Sequence, residues 1–395
     1  MVSDARKYGE LGLVAMIVVL AVAIIMVVGC SRSSEDQVPL AAVFAGWYGH
    51  DAISGECVGG LGSTHWNDSP ETGGVVYTPV LGFYCSSDPK VVAWQLDQMQ
   101  KAGISVIFYS WWGWGDGNLD GVVEGHADQH INLALTEMLR QIRDSRSKMK
   151  VALIVEPFTV TQGGVQHLTE FQGRLVLDYV WERYYEQYPD QVFQWQGSPL
   201  LVTFDPMVLP NDGRYTIKRW TGRPKDRDTI EEGWQWFFAP PQGVIEGMSD
   251  DGVVFVYPRF DETYLAQGGA AYITWSPRIV DPCLQDGAYE RQWQELTQNR
   301  TKVHLIVLYS WNLYGEQAHI EPSYGKPAPV GHDYVAKTRK YYDQFLDAGI
   351  ATSRHPGTGD VIKRIPPSWY PSSDISWRVY CRKPCILWDL PLCGR

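Results

Sequence analysis

A polar and aromatic segment, Tyr309–Pro322, holds side chains suited to acid–base chemistry and to aromatic stacking. It directly follows Val303–Leu308, a near-continuous apolar run typical of a strand buried on both faces of a parallel sheet. Parallel α/β folds place their chemistry at the carboxyl ends of such strands. The polar and aromatic side chains in question are Trp311, Asn312, Tyr314, Glu316, Gln317, His319 and Glu321. This segment is therefore the centre of a candidate site.

Other predicted strands end in similar side chains. These strand ends carry Trp47 and Tyr48, Trp111 and Trp112, Glu156, Asp205, and Tyr257. In a barrel of parallel strands all such ends converge on one face. Aromatic faces stack on sugar C–H surfaces, while carboxylates bind hydroxyls and protonate a leaving oxygen. The combination indicates a carbohydrate cleft, with these aromatics and Asn312 as substrate-binding residues.

The elements that must position these residues alternate between strands and helices. The predicted strands are Ala41–Trp47, Ile104–Trp111, Lys150–Pro157, Pro199–Asp205, Trp234–Phe238, Val253–Tyr257, Ala270–Trp275 and Val303–Tyr309. The predicted helices are Asp88–Ala102, Asp128–Arg146, Gln166–Tyr188, Ala288–Asn299 and Gly331–Ala348. Eight strands alternating with helices predict a (β/α)8 TIM-like barrel, with a doubly wound open sheet as the alternative. The register of Leu209–Ser249 is the least defined.

Composition narrows the function classes. The net charge is −11, which argues against nucleic acid as the main partner. Aromatic residues make up 13% of the chain, an excess that is common in sugar-binding proteins but also in thick cores. No Gly-rich phosphate loop, zinc-spaced CxxC pair or HExxH motif is present, so we expect neither a cofactor nor a metal.

The amino terminus predicts attachment to a membrane. Leu11–Cys30 is a run of twenty residues without a charge, preceded by Arg6 and Lys7. Twenty apolar residues are enough to span a bilayer as a helix. The run ends in Val-Val-Gly-Cys30, which resembles a lipobox, so an uncleaved anchor and a lipoprotein signal both remain open. Either form predicts localisation at the cell membrane, with the catalytic domain outside the cytoplasm. The predicted organisation is 1–30 signal or anchor, 31–40 polar tether, 41–350 barrel and 351–395 C-terminal extension.

Six cysteines follow Cys30. They are Cys57, Cys85, Cys283, Cys381, Cys385 and Cys393. An even number outside the cytoplasm permits up to three disulfides, whose pairing the sequence does not give. Three of the six lie in the C-terminal tail without a nearby histidine, which makes a poor zinc set. We therefore expect disulfides, including at least one from the tail.

Several of these motifs resemble glycoside hydrolase family 99, the endo-α-1,2-mannosidases and mannanases. Thr78–Gly115, with TPVLGFYCSSDPK and KAGISVIFYSWWGWG, is similar to the start of that catalytic domain. Trp47-Tyr48-Gly49, the later His65-Trp66 and Glu156-Pro157 resemble its aromatic and Glu-Pro motifs, and 312–339 resembles its closing block. The resemblance covers about residues 41–348 in order. It implies a barrel fold and an α-linked mannose-type glycan as oligosaccharide or polysaccharide substrate.

One position departs from the family pattern. The family's closing block is similar to N-E-x-x-E, whereas this chain has Asn312-Leu313-Tyr314-Gly315-Glu316. The resemblance implies that Glu316 is the general acid/base. Leu313 occupies the place of the carboxylate that would deprotonate the sugar 2-hydroxyl. Three alternatives remain open: Glu156, Asp205 or His50 serves as the base, the substrate differs, or catalysis is lost. Glu321 matches a supporting Glu of the family and is expected to be structural.

Two functions follow from these observations. The first is an extracytoplasmic glycoside hydrolase that acts on α-linked mannose-type glycans through Glu316. The second is a catalytically inactive glycan-binding protein on the same barrel, because Leu313 cannot take a proton. Composition and aromatic content fit both. A second carboxylate within reach of Glu316 in three dimensions would favour the enzyme.

Overall fold

Eight parallel strands form a nearly closed barrel. A computed structural model describes residues 37–49, 66, 77–113, 129–156, 160–161, 164–165, 168–204, 208–221, 233–235, 243–245, 247–261, 279–280, 287–324 and 332–354. The barrel strands are β1 (Leu40–Ala45), β2 (Val106–Trp111), β3 (Lys150–Val155), β4 (Ser198–Phe204), β5 (Thr216–Thr221), β6 (Gly233–Gln235), β7 (Val253–Val256) and β8 (Leu305–Leu308). Their spatial order is β6-β5-β4-β3-β2-β1-β8-β7. This circular order confirms the predicted (β/α)8 barrel over the open sheet.

The helices described are close to those predicted. They are α1 (Pro89–Ala102), α2 (Gln129–Asp144), α3 (Glu170–Val180, continued by a π turn at Trp181–Tyr185), α4 (Ala288–Gln298) and α5 (His332–Arg354). The ends of α1 are set by its own sequence. Asp88 accepts a hydrogen bond from the Lys90 backbone N–H, Pro89 is the first helical residue, and Gly103 ends the helix at φ 88°.

The middle of the barrel differs from the prediction. Thr216–Thr221, which was not predicted as a strand, forms β5 and pairs with β4. Trp234 therefore belongs to the sixth strand rather than the fifth. Val253–Val256 pairs directly with β8, so it takes the seventh place in the barrel. The prediction that Ala270–Trp275 fills that place is wrong, and those residues lie outside the described part.

Aromatic side chains fill the interior of the barrel. Phe108 on β2 lies 6.0 Å from Trp220 on β5 and 6.4 Å from Trp234 on β6, measured between ring centroids. Trp220 in turn meets the Phe255 ring of β7 at 5.1 Å. Because β2 is not a neighbour of β5 or β6 in the sheet, these contacts cross the barrel. Part of the aromatic excess therefore packs the core.

The two end strands, β6 and β7, are joined through a side chain. Trp234 Nε1 on β6 donates to both carboxylate oxygens of Asp251, at 3.1 Å each, and Asp251 lies just before β7. Lys218 Nζ on β5 is 3.3 Å from the same carboxylate. Burial alone would raise the pKa of Asp251, but hydrogen bonds from Ser249 and Trp234 and the charge of Lys218 hold it below its ordinary value. Asp251 thus closes the seam of the barrel.

Two predicted regions have little or no described structure. The predicted membrane segment Leu11–Cys30 and the tail beyond residue 354 lie outside the described residues. Among the helices that are described, none is long and apolar enough to cross a bilayer. Of the six cysteines, Cys85 is described and is disulfide-bonded.

Candidate active site

The segment that follows β8 is anchored to β1 by one side chain. Asn312 Oδ1 accepts a hydrogen bond from the Ala45 backbone N–H at 2.7 Å, and Asn312 Nδ2 donates to the Ala45 carbonyl at 2.8 Å. The amide therefore imitates a β-ladder pair at the end of β1. Asn312 is fully buried. This side chain therefore holds the segment in place, and its predicted contact with substrate stays a prediction.

Glu316 is presented at the barrel mouth by its neighbours. Its carboxylate accepts a hydrogen bond from the Tyr309 hydroxyl at 2.7 Å, and its backbone carbonyl accepts from the Asp261 N–H at 2.9 Å. The next residue, Gln317, has a left-handed backbone with φ 48°. Glu316 is partly exposed. Its carboxylate is therefore fixed in direction and still accessible.

Glu156 stands at the end of β3 on the same face of the barrel. Ser110 Oγ donates to its carboxylate at 2.7 Å and receives a hydrogen bond from Trp112 Nε1 at 3.1 Å. Although part of the residue is exposed, the carboxyl lies among protein atoms. This burial raises the pKa of Glu156 to about 7, the Ser110 hydrogen bond opposes the rise, and the charge of Glu316 adds to it. Burial is thus the main cause of the raised pKa, and the charge of Glu316 makes the smallest contribution.

Two of the predicted aromatic residues reach the surface of the mouth. Trp47 and Trp112 are both partly exposed, and their rings meet edge to face at 6.1 Å. The hydrogen bond from Trp112 to Ser110 places this pair next to Glu156. An exposed aromatic pair beside a carboxylate is the arrangement expected of a sugar-stacking surface.

Trp111 does not belong to this surface. Successive residues of a strand point to opposite faces, so Trp111 faces the helices while Ser110 faces the mouth. Its indole N–H donates to Asn132 Oδ1 on α2 at 2.8 Å, and its ring stacks on Tyr179 of α3 at 5.9 Å. Trp111 is wholly buried. The structure thus gives Trp111 a packing role, and its place in a substrate groove stays a prediction.

Tyr48 and Tyr257 are buried beneath the site and contact the residues of the Glu316 segment. The Tyr48 hydroxyl donates to the Asn312 carbonyl at 2.8 Å and accepts from the Tyr314 N–H at 3.0 Å. The Tyr257 ring packs 5.9 Å from that of Tyr309, the residue that binds Glu316. Both tyrosines are 2% exposed or less, so they support the site through packing, and their predicted contact with substrate stays a prediction.

Glu321 is the centre of a buried hydrogen-bond network. Its carboxylate accepts from the Tyr84 and Tyr314 hydroxyls, each at 2.8 Å, and from Gln95 Nε2 at 2.7 Å. Burial raises the pKa of Glu321 to about 7, while these hydrogen bonds oppose the rise. The network ties the end of the Glu316 segment to α1. The structural role expected for Glu321 is consistent with this geometry.

Some site residues lie outside the described part, and others were missed. Asp205 and His50, two candidate bases, are outside the described residues. Leu313 is described and buried at 6% exposure. Sequence reasoning missed Ser110 and Tyr309, although both sit at strand ends where the pattern directed attention. Among the described residues, no group of three or more histidine, cysteine or acidic side chains is placed to hold a metal.

The barrel is similar to solved structures of a GH99 endo-alpha-mannosidase from Bacteroides thetaiotaomicron. One, in complex with BIS-TRIS-propane, has a TM-score of 0.58 at 17% identity and covers 80% of this chain and 99% of that one. Another has a TM-score of 0.55 at 18% identity and covers 78% and 98%. No protein-family model matches the chain, and neither does any curated protein. At this identity the likeness establishes the barrel fold.

Proposed function

We propose that this chain is a glycoside hydrolase that cuts α-linked mannose-type glycans, with Glu316 as general acid/base. The observation that carries the proposal is the placement of two carboxylates on one face of the barrel: Glu156 follows β3 and is held by Ser110, and Glu316 follows β8 and is held by Tyr309. Paired carboxylates are the usual catalytic groups of glycoside hydrolases. The fold that this chain shares with an endo-alpha-mannosidase supports the substrate class.

The two carboxylates can divide the acid and base roles of a glycoside hydrolase. The scheme requires an ionised Glu156, and its pKa of about 7 makes the ionised form predominant above that pH. In this scheme Glu316 donates its proton to the departing glycosidic oxygen and later removes one from water. Glu156 serves as the second carboxylate, in the role that Leu313 cannot take. A base with a pKa of about 7 accepts a proton more readily than an ordinary carboxylate. Asp205 remains a second candidate for this role.

Leu313 favours a second candidate function, that of a catalytically inactive glycan-binding protein. The test is incubation of the wild-type chain with an α-1,2-linked manno-oligosaccharide, followed by analysis of the products and a separate binding titration. Release of shorter sugars supports the hydrolase. Binding with no release over extended incubation supports the inactive form, and absence of both contradicts a glycan function.

Replacing Leu313 by Glu should raise hydrolysis if a missing base limits the rate. General-base assistance contributes about 10²–10⁴-fold to a rate, so a gain within that range is expected in kcat/KM for an α-mannoside. Leu313→Gln is the matched control. Glutamine has the length and shape of glutamate, but its amide cannot act as a base. Equal rates for Leu313→Glu, Leu313→Gln and the wild type would show that another group already provides the base.

The raised pKa of Glu156 should make stability depend on pH. Folding raises this pKa from the ordinary 4.5 to about 7, so the folded state binds more protons between these values. The stabilisation from the bound proton is complete below about pH 4.5 and is lost as the pH rises to about 7. We expect the free energy of unfolding of the wild type to fall relative to Glu156→Gln over that window, as measured by denaturant titration. Parallel curves for the two proteins would contradict a raised pKa.

We also propose that the chain is held at the cell membrane with its barrel outside the cytoplasm. The support is the uncharged run Leu11–Cys30 and the cysteines expected to form disulfides. Cell fractionation should recover the chain with membranes, and an added protease should cut it from outside. Recovery in the cytoplasmic fraction would contradict this location.

A further inference from the structure

Arg259 is a buried cation for which the described residues provide no acceptor. It follows β7 at the carboxyl end of the barrel, where its residue is 4% exposed and its Nη1 atom is enclosed. Within the described part of the chain, Arg259 donates no hydrogen bond and no carboxylate lies within ion-pair distance. Its close contact is with the face of the Tyr77 ring, 4.2 Å from the guanidinium carbon.

Such an arrangement is costly unless an anion completes it. A guanidinium cannot relieve its burial by losing a proton, because it stays protonated at any ordinary pH. Proteins therefore pair buried arginines with carboxylates, phosphates or other acceptors. A cation–π contact does not satisfy the in-plane N–H donors, and among the described residues the enclosed Nη1 has no hydrogen-bond partner.

His319 adds a second unmatched atom next to Arg259. The His319 ring is fully buried and lies 5.2 Å from the Tyr77 ring, so both side chains border the same tyrosine. Its Nε2 is 3.0 Å from Ser323 Oγ, whereas its buried Nδ1 has no hydrogen-bond partner. Burial and the charge of Arg259 hold the pKa of His319 well below its ordinary value. The ring is therefore neutral and can donate from Nδ1 in one tautomer.

This location is continuous with the Glu316 segment. Two residues after Arg259, the Asp261 N–H donates to the Glu316 carbonyl at 2.9 Å. Between them, the Phe260 ring packs 6.0 Å from Tyr309, whose hydroxyl binds the Glu316 carboxylate. A group held by Arg259 would therefore lie beside the candidate active site.

We propose that Arg259, with His319 beside it, binds an oxyanion: a carboxylate, phosphate or sulfate group. The oxyanion comes either as a substituent of the glycan or as a free inorganic anion, and only the first source rests on the proposed hydrolase function. Arginine binds such groups through two parallel N–H donors, which gives both affinity and orientation.

Inorganic phosphate is the first probe, because its binding can be measured without any enzymatic activity. The thermal midpoint of the full chain is followed against phosphate at constant ionic strength. A bound anion should raise the midpoint with single-site saturation. In Arg259→Met the saturable rise in the thermal midpoint should disappear. In Arg259→Lys the apparent Kd for phosphate should increase about tenfold, because lysine lacks the planar guanidinium with its parallel N–H donors.

The matched control is Arg174→Met, which removes an exposed arginine paired with Glu170. It should respond to phosphate like the wild type. The same phosphate dependence in wild type and Arg259→Met, or no saturable rise in the wild type, would overturn the proposal. If Arg259→Met fails to fold, the wild-type titration and Arg259→Lys decide the question.

Glycan binding then distinguishes the two sources. In the Glu316→Gln background, calorimetry compares an α-mannobiose with its 6-phosphorylated form. Tighter binding of the phosphorylated sugar by about tenfold or more, lost with Arg259→Met, assigns the site to a substrate substituent. Equal binding of both sugars, together with saturable phosphate binding, assigns it to a free anion. Hydrolysis of neutral glycans by a wild type that shows no saturable phosphate binding would overturn this inference and leave the proposed function intact.

Discussion

Glu316→Gln is expected to lower the turnover of an α-mannoside by about 10²–10⁴-fold while glycan binding persists. The amide keeps the size of the carboxylate and can still accept the Tyr309 hydroxyl hydrogen bond, so the site should keep its shape. It cannot protonate a departing oxygen. Turnover is measured as kcat, and binding by calorimetry on the same preparation.

The choice of substrate and control sharpens this experiment. A substrate with a good leaving group should be least affected, because its departure needs little protonation. Glu182→Gln, a change at an exposed position after α3, serves as the matched control and should leave kcat unchanged. If the wild type is active and Glu316→Gln is equally active, the proton donor lies elsewhere at the mouth.

Trp111→Ala and Trp112→Ala should behave as opposites, although the two residues are adjacent. Trp111 is wholly buried between the barrel and its helices, so its truncation should cost about 3–5 kcal/mol of unfolding free energy. Trp112 is partly exposed, and its truncation should cost about 1 kcal/mol, largely through the lost hydrogen bond to Ser110. Denaturant unfolding measures both values. Glycan affinity should fall in Trp112→Ala.

An intermediate variant checks the reason for this difference. Trp111→Phe keeps a ring against Tyr179 but loses the donor to Asn132, so its stability should lie between those of the wild type and Trp111→Ala. If Trp111→Ala is stable but binds glycan more weakly, Trp111 is a substrate-binding residue, and the packing role described above is contradicted.

Local sequence signals predicted several helices and strands of the barrel correctly, among them α1 and β8. Asp88, Pro89 and Gly103 define α1 through contacts within a few residues, and the apolar run before Tyr309 defines β8. β5 was missed because Lys218 and Arg219 interrupt its apolar pattern. Lys218 is tolerated there because Asp251 neutralises it, and that contact depends on the closed barrel.

The candidate site was predicted in part for similar reasons. Strand ends located Glu156 and Glu316, since the barrel rule brings all such ends to one face. The same rule does not state which of two neighbouring residues faces the mouth, so the sequence pattern does not distinguish Trp111 from Trp112. Asn312 and Tyr48 have the chemistry of sugar ligands, but Ala45 and Tyr314 occupy their polar groups. Sequence alone does not reveal such internal partners.

The place of β1 between β2 and β8 has a consequence for the growing chain. β1 pairs with β2 as soon as residue 111 is available, but its other edge waits for Leu305–Leu308. At synthesis rates of about 5–20 residues per second, that wait lasts roughly ten to forty seconds. During this time β1, whose side chains are all apolar, has one edge of unpaired backbone N–H and C=O groups that can pair with other chains. Molecules that stop before residue 305 should therefore aggregate, and a chaperone that shields strand edges should help this chain most before its last barrel strand is made.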